Sequence, residues 1–493
     1  MNLKDIFDQL FADMEETTNK HCVVLTNHIK PLAWIEKRFE ILELWKSHIH
    51  ELPKNKSKTY QLETADVQPC FFFRNRETQM CYSGFGISDI IIPKKKEGFL
   101  DLIQQRSQQI SEQYSCILPY FASIAFHNTR DYHWGCFPSQ SFVMPIFLLV
   151  FDEKQQTQHI LYIPKRDDIH QHHVFINKKF IPPSTVQNPK KQQFLTNFQT
   201  AQSFLQKHKK LVLALQKPIV SSKNPIDALQ DISQQQENNF QFFYQFNDQA
   251  SFLGCTPELL CHLEKKQRTY TISSEALAGT ITRGINELED REKEHQLRNS
   301  QKDRLEHQIV VDGILEVLES YCCNIQYESQ PSIKKQQHVQ HLQTRIQADI
   351  LHCTHSDIED LIFEIHPTPA VCGYPKTSAM DVIMEIEDFD RGFYAGAIGI
   401  ISHSEITLCV GIRSALYHKN QYWLWGGAGL VQNSEANKEY QEMNNKIQGF
   451  EMILRSYHTT ETTENTENTE NNAQHHVQEI SDTRNMMHHR YTF

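Results

Sequence analysis

Gly426-Gly427-Ala428-Gly429-Leu430-Val431, followed after Gln432-Asn433 by Ser434-Glu435-Ala436-Asn437-Lys438-Glu439-Tyr440-Gln441-Glu442-Met443-Asn444-Asn445-Lys446, is the stretch around which the chain is organised. The glycine run ends a strand-like segment, and the residues after it are helical by pattern, with Ser434 as the expected N-cap. Tyr440, Met443, Ile447, Phe450 and Leu454 recur at steps of three and four and form one apolar seam. Glu439, Glu442 and Lys446 share another face. Taken alone, that face is a solvated stripe with an i,i+4 Glu–Lys pair. Beside a glycine turn, two carboxylates and a cation also have the chemistry to hold a hard metal ion and an anionic ligand together.

Upstream, Ile406, Leu408, Val410 and Ile412 alternate with Thr407, Cys409, Gly411 and Arg413, which places Arg413 on the small, polar face of a strand. A helix starting at a Ser356/Glu359 capping box must stop at His366-Pro367-Thr368-Pro369, because proline breaks the helical ladder. A longer helical region carries Ser300 and Asp303 as a second capping box, and its Asp303/Glu306 pair repeats the i,i+3 carboxylate spacing. Thr269 to Ser274 reads as a strand that delivers Glu275-Ala276-Leu277-Ala278-Gly279-Thr280. Further strands lead into Gly254-Cys255-Thr256-Pro257-Glu258-Leu259-Leu260. Lys210 opens another short strand after a helix from Phe194 to Lys209, and 166–195 reads as a polar loop or linker.

Residues 22–165 are rich in short β segments, interrupted by helical stretches at Pro31 to Ile49 and Gly98 to Gln113. No regular βαβ alternation occurs, so the fold class is α+β with antiparallel sheet. The expected organisation is a loosely attached lead-in (1–20), a β-rich half (21–195) and a second half (196–457) of one large catalytic unit, then a polar tail (458–493). The tail contains three Thr-Glu-Asn triplets and scattered histidines, with no apolar content to fold around, and is expected to be disordered.

A formal charge of −11 over 493 residues, with Lys and Arg dispersed, gives no sign of bulk binding to nucleic acid. No apolar run reaches the roughly 18 residues a membrane span needs. The N-terminus lacks a charged-then-apolar signal pattern, and the cysteines show no CxxC spacing. They read as free thiols, so a cytoplasmic protein is expected.

Six ordered segments carry a resemblance: Ser274 to Thr280, Lys302-Asp303-Arg304-Leu305-Glu306-His307, His366 to Gly373, Arg391-Gly392-Phe393-Tyr394-Ala395-Gly396, Gly411 to Ala415, and Gly427 to Val431. Together they resemble the chorismate-utilising enzymes, and within them the isochorismate synthases. The resemblance implies two packed antiparallel sheets with helices outside, and Mg²⁺-dependent conversion of chorismate to isochorismate by a monomer or weak dimer. It assigns Lys210 as general base, with Lys209 one register away, and Glu275 as general acid whose pKa burial beside an anionic substrate should raise. It makes Glu306 and Glu442 direct Mg²⁺ ligands, with Asp303 and Glu439 holding metal-bound waters. Arg413 and Lys446 would receive the substrate carboxylates, helped by backbone near Ala428 and Gly429, while His366, Ala370, Gly279 and Thr280 line the pocket.

Ala278 and Ala370 stand where the ammonia-using relatives carry lysine and threonine, which favours water as nucleophile. Salicylate synthases share the acid, base and metal residues, and a catalytically silent chorismate-binding relative is the alternative of another class. The resemblance leaves menaquinone, a siderophore or salicylate open as destinations of the product. Leu259 and Leu215 depart from the pattern, which often has arginine at both places.

Overall fold

The protein is described by a computed structural model over residues 3–16, 22–25, 29–49, 62–93, 98–114, 118–127, 134–165, 179–183, 191–267, 269–351 and 354–456. The Thr-Glu-Asn tail and most of the 166–195 segment lie outside the described residues.

Two antiparallel sheets form the body. The first runs, edge to edge, through Cys22–Leu25, Thr157–Tyr162, Phe147–Asp152, Met80–Phe85, Cys70–Asn75, Phe240–Gln245, Ser251–Thr256, Ser414–His418, Gln421–Leu430, Lys210–Val220 and Gly373–Tyr374. The second runs through Cys322–Tyr327, Val339–Ile350, Thr269–Thr282, Leu259–Lys266, Glu405–Val410, Ala397–Ile401, Tyr120–Ile124, Gln140–Met144 and Asp89–Ile91, with Ser332–Lys335 paired to Val339–Ile350. Both sheets mix early and late strands: Cys70–Asn75 pairs with Phe240–Gln245, and Tyr120–Ile124 with Ala397–Ile401. The halves read from sequence therefore share one core. Buried Tyr244 ties the sheets together, its hydroxyl lying 2.8 Å from Gly399 O and 3.0 Å from Ala122 O. The Phe71 and Phe121 rings meet across the same gap at 5.6 Å.

The helix of the opening stretch, Ala436–Ser456, packs on the Gln421–Leu430 strand through Met443, Ile447, Phe450 and Leu454, all buried. Each such side chain contributes about 1.5–3 kcal/mol by leaving water. Gly426 permits the approach, since a Cβ there would sit 2.2 Å from Met443 O. The expected Ser434 cap is displaced by one residue. Glu435 O accepts the first helical bonds, from Lys438 N and Glu439 N, while Ser434 Oγ accepts from Val431 N and closes the preceding turn.

Other boundaries move for local reasons. The lead-in is not loose: the Leu3–Glu16 helix buries Ile6, Phe7 and Leu10, and Phe7 meets Trp45 at 6.4 Å and Phe147 at 6.2 Å. Pro31 to Ile49 is two helices, Pro31–Glu36 and Arg38–Ile49. The strand expected to be short at Lys210 runs on to Val220, paired along its length with Gln421–Leu430.

The long helical region is split at Ser300 into Glu287–Asn299 and Gln301–Tyr321, and Ser300 Oγ accepts from Asp303 N as the second helix's cap. The His355–Ile365 helix is capped by Thr354, which accepts from Asp357 N, and not by Ser356 with Glu359. Glu359 turns inward instead and accepts from Phe99 N and Leu100 N, capping the Leu100–Tyr114 helix. No described helix is long and apolar enough to cross a membrane.

Candidate active site

Lys210–Val220 and Gln421–Leu430 run side by side with Val212 opposite Gly429. On its other edge Gln421–Leu430 is paired only as far as Leu424, so beyond that point the strand faces a cavity between the sheets. Glu258, Ala278, Gly279, Thr280, Glu306, His341, Ala370, Tyr394, Arg413, Gly427, Gly429 and Lys446 line it, among others. Ala278 and Ala370, the two positions at which the resemblance favours water as nucleophile, are both on its wall. Ala428 is not: its side chain is buried on the opposite side, and its glycine neighbours form the wall. His366 is also displaced from the wall. It is buried with Nε2 3.1 Å from Ala125 O, and burial pushes its pKa down to about 4, so it is a neutral structural histidine.

The anion side is built from Arg413 and Lys446. Arg413 does not lie on a strand face: Glu405–Val410 has ended, and Arg413 takes φ 50° in the turn before Ser414–His418. That turn swings the guanidinium to the cavity, where it donates to Lys446 O at 3.0 Å. Lys446 Nζ donates to Gly427 O at 2.8 Å and pairs with Glu442 at 2.7 Å. Burial lowers the Arg413 pKa, yet a guanidinium remains charged at any working pH.

The two carboxylate pairs do come together. Asp303, Glu439, Glu442, Lys302 and Lys446 line one cleft that joins the cavity at Thr280 and Lys446. As placed, each glutamate is held by an ammonium: Glu306 by Lys210 at 3.1 Å, Glu439 by Lys302 at 2.7 Å, and Glu442 by Lys446. Among the described residues no three metal-type side chains stand close enough to hold an ion in this arrangement. The donor chemistry nevertheless suits a hard divalent cation, being all carboxylate. Glu439 Oε2 is buried without a hydrogen-bond partner among the described residues. Burial works against the charge of Lys302, but Glu306, Glu439 and Glu442 outweigh it and push its pKa above the usual lysine value. Burial likewise raises the pKa of Asp303 and Glu439. The cleft is lined by Asp303, Glu435, Glu439 and Glu442 against Lys302, Lys438 and Lys446, one carboxylate more than its ammonium groups.

Lys210 is fully buried, whereas Lys209 is exposed with its ammonium 5.1 Å over the Tyr374 ring, so Lys210 is the one turned to the interior. Gly429 makes room for Lys210 and its partner: a Cβ there would fall 2.1 Å from Glu306 Oε1 and 2.8 Å from Lys210 Cε.

Glu275 departs from expectation. It does not line the cavity, and its carboxylate is occupied by Arg76 at 2.8 Å, Lys334 at 3.1 Å, Gln343 Nε2 and Leu259 N at 2.8 Å. Burial would raise its pKa, but Lys334 and Arg76 reverse the balance and lower it, so it is held as the anion. Besides Glu306, the carboxyl group that does face the cavity is Glu258, with Oε1 unpartnered among the described residues. Burial, then the charge of Glu275, push its pKa up to about 8. The sequence carries a signal for it: a lone carboxylate in Thr256-Pro257-Glu258-Leu259-Leu260, where the flanks are apolar. His341, which no sequence motif marks, also lines the wall. It is bonded through Nδ1 to Thr280 Oγ1 at 3.0 Å, and burial, then Arg413, Lys446 and Lys334, hold its pKa well below the usual value.

A family model described as chorismate binding enzyme matches residues 43–455. The chain is 33% identical over 249 residues to the chloroplastic isochorismate synthase of Catharanthus roseus, covering 50% of this chain and 42% of that protein. It is 35% identical over 263 residues to isochorismate synthase MenF of Bacillus subtilis (strain 168), covering 52% and 54%. The chain thus spans about half the length of the curated relatives it matches. Among solved structures, MenF, the menaquinone-specific isochorismate synthase from Escherichia coli, superposes with a TM-score of 0.68 at 20% identity, over 91% of this chain and 100% of that one. At that identity the likeness is one of fold.

Proposed function

Because the chain belongs to the chorismate binding enzyme family, we propose that it is a Mg²⁺-dependent isochorismate synthase that adds water at ring carbon 2 of chorismate and expels the 4-hydroxyl. One observation carries the reading: a buried carboxyl group, Glu258, faces one cavity together with Arg413, Lys446 and Glu306, and the buried amine of Lys210 lies 3.1 Å from Glu306. A dicarboxylate with a poor leaving group needs that combination of acid, base and cations.

Arg413 and Lys446 receive the carboxylates and fix the ring. Lys210 takes a proton from the attacking water. Its Nζ is paired with Glu306 Oε1 at 3.1 Å, so that pair has to open before the nitrogen can accept the proton. Glu258 takes the acid's part in place of Glu275 and gives its proton to the departing hydroxyl; at about 8 its pKa keeps that proton in place at pH 7. Glu306 and Glu442, with Asp303 and Glu439 behind them, would hold Mg²⁺, which supplies positive charge to a substrate carboxylate and neutralises the acidic cleft. The side chains thereby position water and acid with no covalent intermediate.

Purified protein incubated with chorismate and Mg²⁺, with products resolved by chromatography, tests the proposal. Isochorismate alone is expected. Salicylate with pyruvate would make the chain a salicylate synthase, and retained binding without turnover would make it a silent chorismate-binding relative. In the same assay, Gly429→Ala is expected to raise the Mg²⁺ concentration for half-activation at least about tenfold, because its Cβ takes the place of the Glu306 carboxylate. An unchanged Mg²⁺ titration would remove Glu306 from the metal site.

A further inference from the structure

The turn that carries Glu258 is gripped from behind by side chains that do not line the cavity. Arg76 Nη1 donates to Pro257 O, and Lys334 Nζ donates to the same carbonyl at 2.6 Å. On the far side of Glu258, Leu259 N donates to Glu275 Oε1 at 2.8 Å. The loop is closed because Arg76 and Lys334 both bind the Glu275 carboxylate, at 2.8 and 3.1 Å. The backbone of Glu258 itself is held as well: its N–H donates to Thr256 Oγ1 at 3.3 Å, and its carbonyl accepts from Val410 N at 3.0 Å. What remains free to act is the carboxyl group.

The elements that supply this grip are scattered along the chain. Arg76 comes just after the Cys70–Asn75 strand, and its guanidinium is fixed over the Phe240 ring at 4.5 Å and paired with Glu77 at 2.7 Å. Lys334 comes from Ser332–Lys335, a strand that among the described residues pairs only with Val339–Ile350. Leu259 stands directly after Glu258, where the resemblance leads one to expect arginine. No cation can come from that position, so two arrive from elsewhere. A single carboxylate thus anchors both peptide groups flanking Glu258 and fixes the charge behind it.

We propose that Glu275 is a positioning residue, which with Arg76 and Lys334 aims the Glu258 carboxyl group into the cavity and sets the charge balance at its back. The catalytic meaning of this role rests on the reaction proposed above; the geometry does not. The charged and titratable groups facing Glu258 are Glu275, Lys334, Lys210, Lys446 and Cys409, together with Glu306, His341, Tyr394 and Arg413 on the shared wall and Arg76 behind it. Removing one charge from the network therefore moves Glu258 in a direction fixed by sign. Glu275→Gln deletes an anion and makes Glu258 a stronger acid. Lys334→Met deletes an amine whose pKa burial lowers to about 8, so it removes positive charge below that pH and makes Glu258 a weaker acid.

Infrared difference spectra of the full chain, recorded across pH, read this without turnover. The reporter is the protonated-carboxyl band that Glu258→Gln abolishes. Its midpoint is expected to fall by about one pH unit in Glu275→Gln and to rise by about one in Lys334→Met. Loosened packing would not move the two in opposite directions. Midpoints that stay put, or move the same way, overturn the proposal. Should Glu275→Gln fail to fold, the rise in Lys334→Met decides alone. If the alkaline limb of kcat moves with the band, the positioning and the reaction stand together; opposite band shifts in a protein that does not turn over chorismate would retain the first and discard the second.

Discussion

Glu258→Gln is expected to lower kcat for chorismate by about 10²–10⁴-fold while leaving chorismate binding within a few-fold of the unaltered protein. The substitution keeps the size of the side chain and removes only the proton it delivers. Glu258 is buried and its Oε1 has no partner among the described residues, so the amide meets little that the acid did not. The same group sets the sign of the pH dependence. A carboxyl group whose pKa is raised to about 8 is protonated below that pH, and turnover that needs its proton declines as pH rises through it. In Glu258→Gln any residual activity should lose that alkaline decline. Steady-state rates across pH, together with binding by calorimetry, check both statements. An active variant with an unchanged pH profile would remove Glu258 from the reaction.

Lys210→Ala should reduce kcat by a similar factor, and it should do something further to the protein without metal. It deprives buried Glu306 of the ammonium 3.1 Å away, and breaking a buried ion pair costs about 3–5 kcal/mol because a charge is left uncompensated. Thermal unfolding in chelator should therefore show a marked loss of Tm, which Mg²⁺ restores in part if Glu306 is a metal ligand. Lys209→Ala is the matched control. Its side chain is exposed, with its ammonium 5.1 Å over the Tyr374 ring, so rate and Tm should stay near those of the unaltered protein. Full activity of Lys210→Ala would overturn the base assignment.

Much of this site can be read from the chain because it is written in helical periodicity and glycine. Glu439, Glu442 and Lys446 share a face by spacing alone, and their partners at Asp303 and Glu306 obey the same i,i+3 rule. The solvated-stripe reading is half right: the Glu442–Lys446 pair exists, on the wall of a cleft. Gly429 is intelligible only with the fold in hand, since its missing Cβ is what Lys210 and Glu306 occupy.

The departures from the sequence reading have a common cause. Glu275 sits in a recognisable motif, whereas the groups that neutralise it, Arg76 and Lys334, lie 199 and 59 residues away, and no local pattern links them. Glu258 has no charged neighbour in sequence and gains its raised pKa from burial, which a linear reading does not reveal. Alternation puts Arg413 on a strand face, but a residue at φ 50° has left the strand. Ser434 and Ser356 are good caps by residue type. In each case a residue one or two positions away takes the role because the packed helix starts where its apolar seam begins to bury.

In the proposed reaction, water activated by Lys210 and answered by proton release from Glu258 replaces the 4-hydroxyl. Turnover of unlabelled chorismate in H₂¹⁸O with Mg²⁺, with mass spectrometry of the product, tests this directly. Water addition predicts isochorismate carrying one ¹⁸O on the hydroxyl at carbon 2. Isochorismate that retains only the original oxygen would contradict it, because the hydroxyl would then have migrated within the substrate.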